Sequence, residues 1–182
     1  MSNVKVLRNV RNPKTDVQVP LIDVFALKTI LKKAQKTKPI WGKPAFPTFI
    51  ELENDLELKT IEGNEAMREG SWIVKGEISE KWFMDSKTLF KSYNGEFTDA
   101  KGWTKFNPKP ESWRWVTLVQ FPNGFASHAQ WGSIKDGTFQ NGEDRYIQFS
   151  KGQAGYVVNN PDNTNDWWIV VPKLFVATYI WL

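Results

Sequence analysis

Apolar and polar positions along the chain predict one helix near the start. Between residues 20 and 36, apolar side chains recur at spacings of three and four, the period of an amphipathic helix. The repeating positions are Val24, Leu27, Leu31 and Ala34. Asp23 near the start and the lysines near the end complement the helix dipole. The stretch KTKPIWGKPAFP, residues 36–47, contains three prolines, which predicts that the helix ends there and a connector follows.

Beyond this connector the pattern alternates with a period of two, which predicts strands. A strand pair is predicted from SWIVKG and EKWFM, residues 71–76 and 80–84, and a short hairpin around Asn54-Asp55. The run WRWVTLVQF, residues 113–121, alternates and places both of its tryptophans, Trp113 and Trp115, on one face.

Turn dipeptides follow that run at regular intervals. They are Asn123-Gly124, Asp136-Gly137 and Asn141-Gly142, which favour tight hairpins because both central residues need positive φ. The sequence therefore predicts an α+β protein that is mostly β, with an antiparallel meander forming a barrel or a sandwich.

One segment resembles another segment of the same chain. Residues 70–93 and 153–179 each predict strand, turn, strand and a short helix that ends at an aromatic residue. Trp82-Phe-Met84 aligns with Trp167-Trp-Ile169, and Leu89-Phe90 aligns with Leu174-Phe175. A unit this small cannot bury its own apolar face, which is a physical reason to pair two β-β-α units.

Residues 70–94 also resemble the PGDYG family of small bacterial and phage proteins. The matching positions are Gly70, Trp72, Ile73, Val74, Gly76, Glu80, Trp82, Phe90 and Tyr93. The chain departs from the family pattern at Ser71, at Asn94, and in a Phe90-to-Tyr93 spacing that is one residue short. The resemblance implies a phage or mobile-element accessory protein, and it implies no reaction.

The length of 182 residues predicts a single domain. Its predicted parts are a basic arm and helix (1–40), a first β-β-α half (41–95), an aromatic, Lys- and Pro-rich connector (96–112) and a second β half (113–182). Net charge is +4, but residues 1–40 hold nine basic and two acidic side chains. This asymmetry is typical of a protein with an acidic partner and also of a solvated basic helix face.

The composition argues against several kinds of catalytic and metal-binding site. The chain has no cysteine and one histidine, His128, so zinc sites and thiolate nucleophiles are not expected. No phosphate-binding glycine loop occurs, and no apolar run reaches the length of a membrane span. We therefore expect a cytoplasmic protein without a cofactor or a metal, and not an enzyme or a membrane protein.

Two surfaces remain as candidate binding sites. Lys28, Lys32 and Lys36 would form one stripe on the predicted helix. In the region 96–115, aromatic residues alternate with lysines, a pattern that suits base stacking or a protein interface. The candidate partner-binding residues are Lys28, Lys32, Lys36, Trp103, Phe106, Trp113 and Trp115.

The leading hypothesis is a non-enzymatic binding protein that blocks or scaffolds a host or phage protein, as a host-defence antagonist would. Nucleic-acid binding through the same lysines and aromatics is the first alternative. Binding of a glycan or small ligand in an aromatic pocket is the second, and oligomerisation is left open.

Overall fold

The computed structural model describes most of the chain in detail. The described residues are 4–45, 57–60, 63–67, 70–128, 134–135, 138–139 and 147–182. Within them the protein is mostly β, and antiparallel pairing predominates. The chain divides into two compact units, and each consists of separate segments. The first contains Met1–Ala34, Trp113–Val176 and Trp181–Leu182, and the second contains Gln35–Ser112 and Ala177–Ile180.

The first unit contains a four-stranded sheet in the order β1-β2-β12-β15. Its strands are β1 (Val6–Arg11), β2 (Gln18–Ile22), β12 (Ala126–His128) and β15 (Ile147–Phe149). The β2–β12 pairing is parallel, whereas β1–β2 and β12–β15 are antiparallel.

A five-stranded sheet, sheet I, runs in the order β17-β16-β11-β3-β18. Its strands are β3 (Lys32–Lys36), β11 (Trp113–Gln120), β16 (Ala154–Asn160), β17 (Asn163–Val170) and β18 (Tyr179–Trp181). The helix α2 (Pro172–Thr178) lies between β17 and β18 in the chain. Pro172 suits the first helical position because its missing N–H has no intrahelical partner there.

The second unit contains sheet II, with five strands in the order β8-β7-β4-β10-β9. Its strands are β4 (Ile40–Pro44), β7 (Ser71–Lys75), β8 (Lys81–Asp85), β9 (Tyr93–Thr98) and β10 (Thr104–Pro108). The helix α1 (Ser86–Ser92) lies between β8 and β9 in the chain. Two short hairpins complete the described strands: β5 (Glu57–Thr60) with β6 (Gly63–Ala66), and β13 (Ile134–Lys135) with β14 (Thr138–Phe139).

Each unit has its own apolar core. In the first unit, one face of sheet I packs against the segment 22–27 and Phe125. The buried residues of this cluster are Ile22, Val24, Leu27, Val119, Phe125, Val157, Trp167 and Ile169. In the second unit, α1 inserts Leu89 into one face of sheet II, against Ile40, Val74, Tyr93 and Phe106. Burial of these side chains supplies the main favourable term for each unit.

Sheets I and II share one order of connections. In each, a hairpin at one edge leads into a seven-residue helix, and the strand after the helix lies at the opposite edge. β4 and β11, which precede these hairpins in the chain, take the third place in their sheets, and β10 and β3 take the fourth.

Strand register gives the matching positions within this shared order. Trp82 lies opposite Val74, and Trp168 lies opposite Val158. In the two helices, Leu89 and Phe175 are both the fourth residue, and both are buried. The structural register therefore pairs Trp82 with Trp168 and Leu89 with Phe175, one residue away from the alignment expected from the sequence.

The ends of the two helices are held in the same way. The N–H of Lys109 donates to the carbonyl of Ser92 (2.9 Å), and the N–H of Thr37 donates to the carbonyl of Thr178 (2.8 Å). Ser92 and Thr178 are the last residues of α1 and α2. A helical carbonyl without an intrahelical partner is thus satisfied at each C-terminus.

The predicted helix over residues 20–36 is wrong. This segment forms the end of β2, a 3₁₀ helix at Val24–Thr29, and β3. The Asp23 carboxylate accepts from the Phe25 N–H at 3.1 Å and caps the short helix. From Lys32 onward the chain forms β3, which belongs to sheet I. Val24 and Leu27 are buried, but the apparent continuation of the period to Ala34 crosses into a strand.

Two further expectations differ from the structure. A turn is present at this point, but its central residues are Pro122 and Asn123, because the Gly124 N–H donates to the Phe121 carbonyl (3.0 Å) and Gly124, at φ +84°, follows them. The turn does not close a hairpin, because β11 pairs with β16 whereas β12 pairs with β2 and β15. The segment 96–112 is not only a connector, because it contains half of β9 and all of β10.

The sequence predicts three further turns. The turns at Asn54-Asp55, Asp136-Gly137 and Asn141-Gly142 lie outside the described residues. The pair β7–β8 and the strand β11 agree with the sequence pattern.

Replacing Asp85 tests the N-terminal cap of α1. Its carboxylate accepts from the Thr88 N–H (2.8 Å) and from Thr88 Oγ1 (2.6 Å). Asp85→Ala should lower the free energy of unfolding by about 1 kcal/mol at neutral pH, measured by urea titration. Asp85→Asn is the control, since asparagine also caps helices and should retain most of the stability.

The same cap predicts a pH dependence. Partial burial raises the pKa of Asp85, but the hydrogen bonds from Thr88 outweigh it and hold the pKa below its usual value. The stabilisation is therefore complete above the pKa of the unfolded chain and is lost as pH falls through the folded value. Wild type and Asp85→Ala should converge in stability at low pH, and a constant difference between them would contradict this role.

Candidate functional site

Sheet II carries lysines and tryptophans on the face opposite α1. Trp41 in β4 lies directly across from Lys75 in β7 and from Lys105 in β10. Lys75 in turn lies opposite Lys81 in β8. Residues directly opposite in antiparallel strands point to the same side of the sheet. Four neighbouring strands therefore place three lysines on the same side of the sheet as Trp41.

Lys43 extends this row, since it lies two residues after Trp41 on the same side of β4. Its Nζ donates to the carbonyl of Lys101 at 3.1 Å and lies 4.9 Å from the centroid of the Trp103 ring. Lys75 Nζ lies 4.3 Å from the same centroid. We call this surface the Lys–Trp face and define it by Trp41, Lys43, Lys75, Lys81, Trp103 and Lys105.

The β9–β10 loop fixes the position of Trp103. One carboxylate oxygen of Asp99 accepts from the N–H groups of Lys101 (2.8 Å) and Trp103 (3.0 Å). Gly102 has φ +83°, a conformation in which a side chain would be strained. These hydrogen bonds, together with the cation–π contacts of Lys43 and Lys75, hold the indole against the sheet.

The Lys–Trp face has an apolar end and a basic end. At the apolar end, Trp103 and Met67 pack against the buried residues Ala45, Ile73 and Phe83. At the basic end, Lys81 is exposed, while Trp41 and Lys75 are half-buried. The apolar end ties the face to the fold, and the basic end is open to solvent.

Two carboxylates lie beside this face. Glu96 forms an ion pair with Lys105 (3.0 Å) and accepts from the amide of Asn107 (2.9 Å). These contacts lower the pKa of Glu96, with the Asn107 hydrogen bond as the largest cause. Asp99 likewise has a lowered pKa, chiefly because it accepts from the Trp103 N–H. Both stay ionised at neutral pH and offset part of the positive charge.

The matching face of sheet I is built differently. By register, Lys43, Lys75 and Lys81 correspond to Thr117, Asn159 and Trp167. Trp167 is fully buried in the core of the first unit, and Asn159 is 3% exposed and donates to two backbone carbonyls. Positions that serve the interior in sheet I thus carry ammonium groups in sheet II.

Phe106 does not belong to a binding surface. It is 1% exposed, and its ring packs edge-on against Trp72 with centroids 5.5 Å apart. It lies in the core beneath α1, so the expectation that it contacts a partner is wrong. The physical reason is strand alternation, because Lys105 and Phe106 are consecutive in β10 and point to opposite sides of sheet II.

The three lysines predicted as a helical stripe do not form one. Lys28 belongs to the 3₁₀ helix, with its Nζ 5.1 Å from the Phe25 ring centroid. Lys32 is exposed on β3, and Lys36 is half-buried with its Nζ 5.2 Å from the Trp82 ring centroid. Lys28 lies in the 3₁₀ helix whereas Lys32 and Lys36 lie in a strand, so the four-residue spacing does not place the three lysines on one helical face.

Trp113 and Trp115 form an edge-to-face pair in β11, with centroids 5.0 Å apart. Lys33 Nζ lies 4.4 Å and 5.5 Å from the two ring centroids. Both indoles are half-buried. Trp113 and Trp115 therefore form a pair in the structure, as the sequence predicts. The cation beside them is Lys33, which is not among the predicted binding residues.

Sequence reasoning also missed Trp41, Lys43, Lys75 and Lys81. The prolines around Trp41 indicated a connector, and Ile40-Trp-Gly-Lys43 has no alternation of apolar and polar residues that would indicate a strand. In SWIVKG the period of two already places Lys75 on the side of Ile73. Alternation in SWIVKG could therefore have identified Lys75, whereas the Pro-rich stretch offers no local signal for Trp41 and Lys43.

The described residues give little support for a role of His128, for a metal site or for a membrane-spanning helix. His128 is 3% exposed in β12, opposite Ile147. Across the described ranges, no group of three or more His, Asp or Glu side chains is arranged to hold a metal ion. None of the helices seen there is long and apolar enough to cross a membrane.

Comparisons of this chain with known protein families, with curated proteins and with solved structures found no match. Functional inference for this protein therefore depends on the geometry of its own residues.

The assignment of Phe106 to the core predicts a large effect on stability. Phe106→Ala should lower the free energy of unfolding by about 3–5 kcal/mol, because it removes a buried ring and leaves a cavity. Phe97→Ala is the control, since Phe97 is 55% exposed in the neighbouring strand; its effect should stay within about 0.5 kcal/mol. Equal effects of the two changes in urea titrations would show that Phe106 is not a core residue.

Proposed function

We propose that this protein is a non-enzymatic binding protein and that the Lys–Trp face of sheet II is its binding surface for an anionic macromolecule. The supporting observation is the register that places Lys75, Lys81 and Lys105 on the same side of the sheet as Trp41, with Lys75 and Lys105 as its direct neighbours. Lysines gathered on one face create a positive potential that attracts and orients an anionic partner.

The shared connection order of sheets I and II supports a second part of the proposal. The two sheets descend from one β-β-α-β unit that was duplicated, and they have since diverged. The copy in sheet I kept an apolar face and became the core beneath the segment 22–27. The copy in sheet II replaced interior positions with lysines and became the binding surface.

The setting we propose is that of a phage or mobile-element accessory protein. Residues 70–94, which carry the resemblance to the PGDYG family, form β7, β8, α1 and the start of β9 in sheet II. That resemblance supports the setting, and the Lys–Trp face supports the binding role. A protein of this kind acts by occupying the surface of a host or phage macromolecule.

Charge reversal tests the location of the binding surface. The double variant Lys75→Glu/Lys105→Glu should elute from a heparin column at clearly lower salt than wild type, because two of the ammonium groups that contact the polyanion are inverted. The matched control is Lys87→Glu/Lys91→Glu, which makes the same charge change on exposed residues of α1. If both variants shift equally, binding follows net charge and the face is not the site.

Removing a neighbouring negative charge should have the opposite effect. Glu96→Gln frees Lys105 from its ion pair, so affinity for heparin should rise by about twofold to fivefold at low salt. Glu111→Gln is the control, since Glu111 is an exposed acidic residue in the turn between β10 and β11. Isothermal titration of both variants measures the difference, and an unchanged affinity for Glu96→Gln would separate Lys105 from the binding surface.

A further inference from the structure

Of the two tryptophans on the Lys–Trp face, Trp103 has cations over its ring, and Trp41 has none among the residues that the structure describes. Among the described residues, no other aromatic ring packs against Trp41 and no ammonium group lies over it, whereas Trp103 has Lys43 and Lys75 over its ring. Trp41 is half-buried, so its indole is held by the sheet and still reachable from solvent. It sits in β4, the central strand of sheet II.

The lysines flank this indole on both sides. Lys75 and Lys105 are the direct cross-strand neighbours of Trp41, and adjacent strands lie about 4.8 Å apart. A chain of alternating flat rings and negative charges, laid across β7, β4 and β10, can place one ring on Trp41 and a charge near each ammonium group. Single-stranded nucleic acid has this chemistry.

Other anionic partners use less of this arrangement. An acidic peptide can pair with the lysines, but its carboxylates offer no flat face to the indole. A duplex keeps its bases stacked within the helix, so a base reaches Trp41 only at the cost of unpairing and unstacking. The combination of an open indole with flanking ammonium groups favours unpaired bases.

We propose, building on the function proposed above, that the Lys–Trp face binds single-stranded nucleic acid, with a base stacked on Trp41 and phosphates held by Lys75, Lys105 and Lys81. Lys43 and Trp103 act as positioning residues. Lys43 is 7% exposed, and its contacts fix the loop 99–103 beside the binding surface. Binding by stacking and charge selects single strands over duplexes and reads little sequence.

The experiment measures binding of the full chain to a labelled deoxythymidine oligonucleotide of about 12 nucleotides, a site size within the range for such surfaces. Fluorescence anisotropy is recorded at several salt concentrations. Trp41→Leu should weaken binding by about fivefold to a hundredfold, because base stacking is lost, and should leave the salt dependence unchanged. Lys75→Glu/Lys105→Glu should weaken binding and reduce the slope of log K against log salt by about two or more.

Matched variants separate stacking from loss of folding. Trp41→Phe keeps an aromatic face and should retain most of the affinity, whereas Trp41→Leu should not. Trp181→Leu makes the same change at a tryptophan that is 48% exposed in β18, and it should bind as wild type does. Urea titrations of the Trp41 variants confirm that each is folded at the temperature of the binding assay.

Three further probes decide between partners: inorganic polyphosphate, a duplex of the same length and poly-glutamate. Wild type should bind the single strand more tightly than polyphosphate or the duplex, and Trp41→Leu should remove its advantage over polyphosphate. Normal oligonucleotide binding by Trp41→Leu, or equal or tighter binding of the duplex, overturns base stacking on Trp41 and leaves the anionic surface intact. Binding of poly-glutamate alone identifies an acidic protein as the partner and also overturns the inference.

The proposed function itself fails by a different result. If Lys75→Glu/Lys105→Glu binds every probe, heparin included, as wild type does, then the Lys–Trp face is not a binding surface of any kind.

Discussion

Burial of one face of each five-stranded sheet beside a short helix is the constraint on which the rest of the structure depends. Helices of seven residues are not stable alone in water, so α1 and α2 require Leu89 and Phe175 to be withdrawn from solvent. In return the helices cover apolar strand residues, and Phe175 stacks on Tyr156 with centroids 3.8 Å apart. The carbonyl at each helix end accepts from a connector N–H, which fixes where the next strand begins.

A short helix packs on one face of each five-stranded sheet, and the two sheets differ in the role of the opposite face. Sheet I turns that face inward and packs it against Ile22, Val24 and Leu27. Sheet II places lysines there, and a buried ammonium group is costly unless it has partners. Lys43 has them, in the Lys101 carbonyl and the Trp103 ring, whereas Lys81 remains exposed. The same architecture thus yields a core in one unit and a charged surface in the other.

Strand alternation predicted much of this fold, because a period of two needs only local geometry. It identified β7, β8 and β11 and placed Trp113 beside Trp115. The prediction of a helix over residues 20–36 is wrong because the 3₁₀ helix and β3, two separate elements, continue one apolar period. The prediction of Phe106 as a site residue is wrong because it rests on composition, which does not show which side of β10 a residue occupies. Trp41 was missed because flanking prolines masked a strand whose partners are distant in sequence.

The sequence by itself determined the β-rich class, the two hairpin-and-helix segments and a composition rich in tryptophan. These follow from periodicity and composition, which are local properties of the chain. The tertiary structure alone decided which lysines meet which indole. β4, β7 and β10 are far apart in sequence, and their pairing register, set by burial of the opposite face, brings Trp41 between Lys75 and Lys105. Register is a long-range property, because a shift of one residue would exchange the two faces of the sheet.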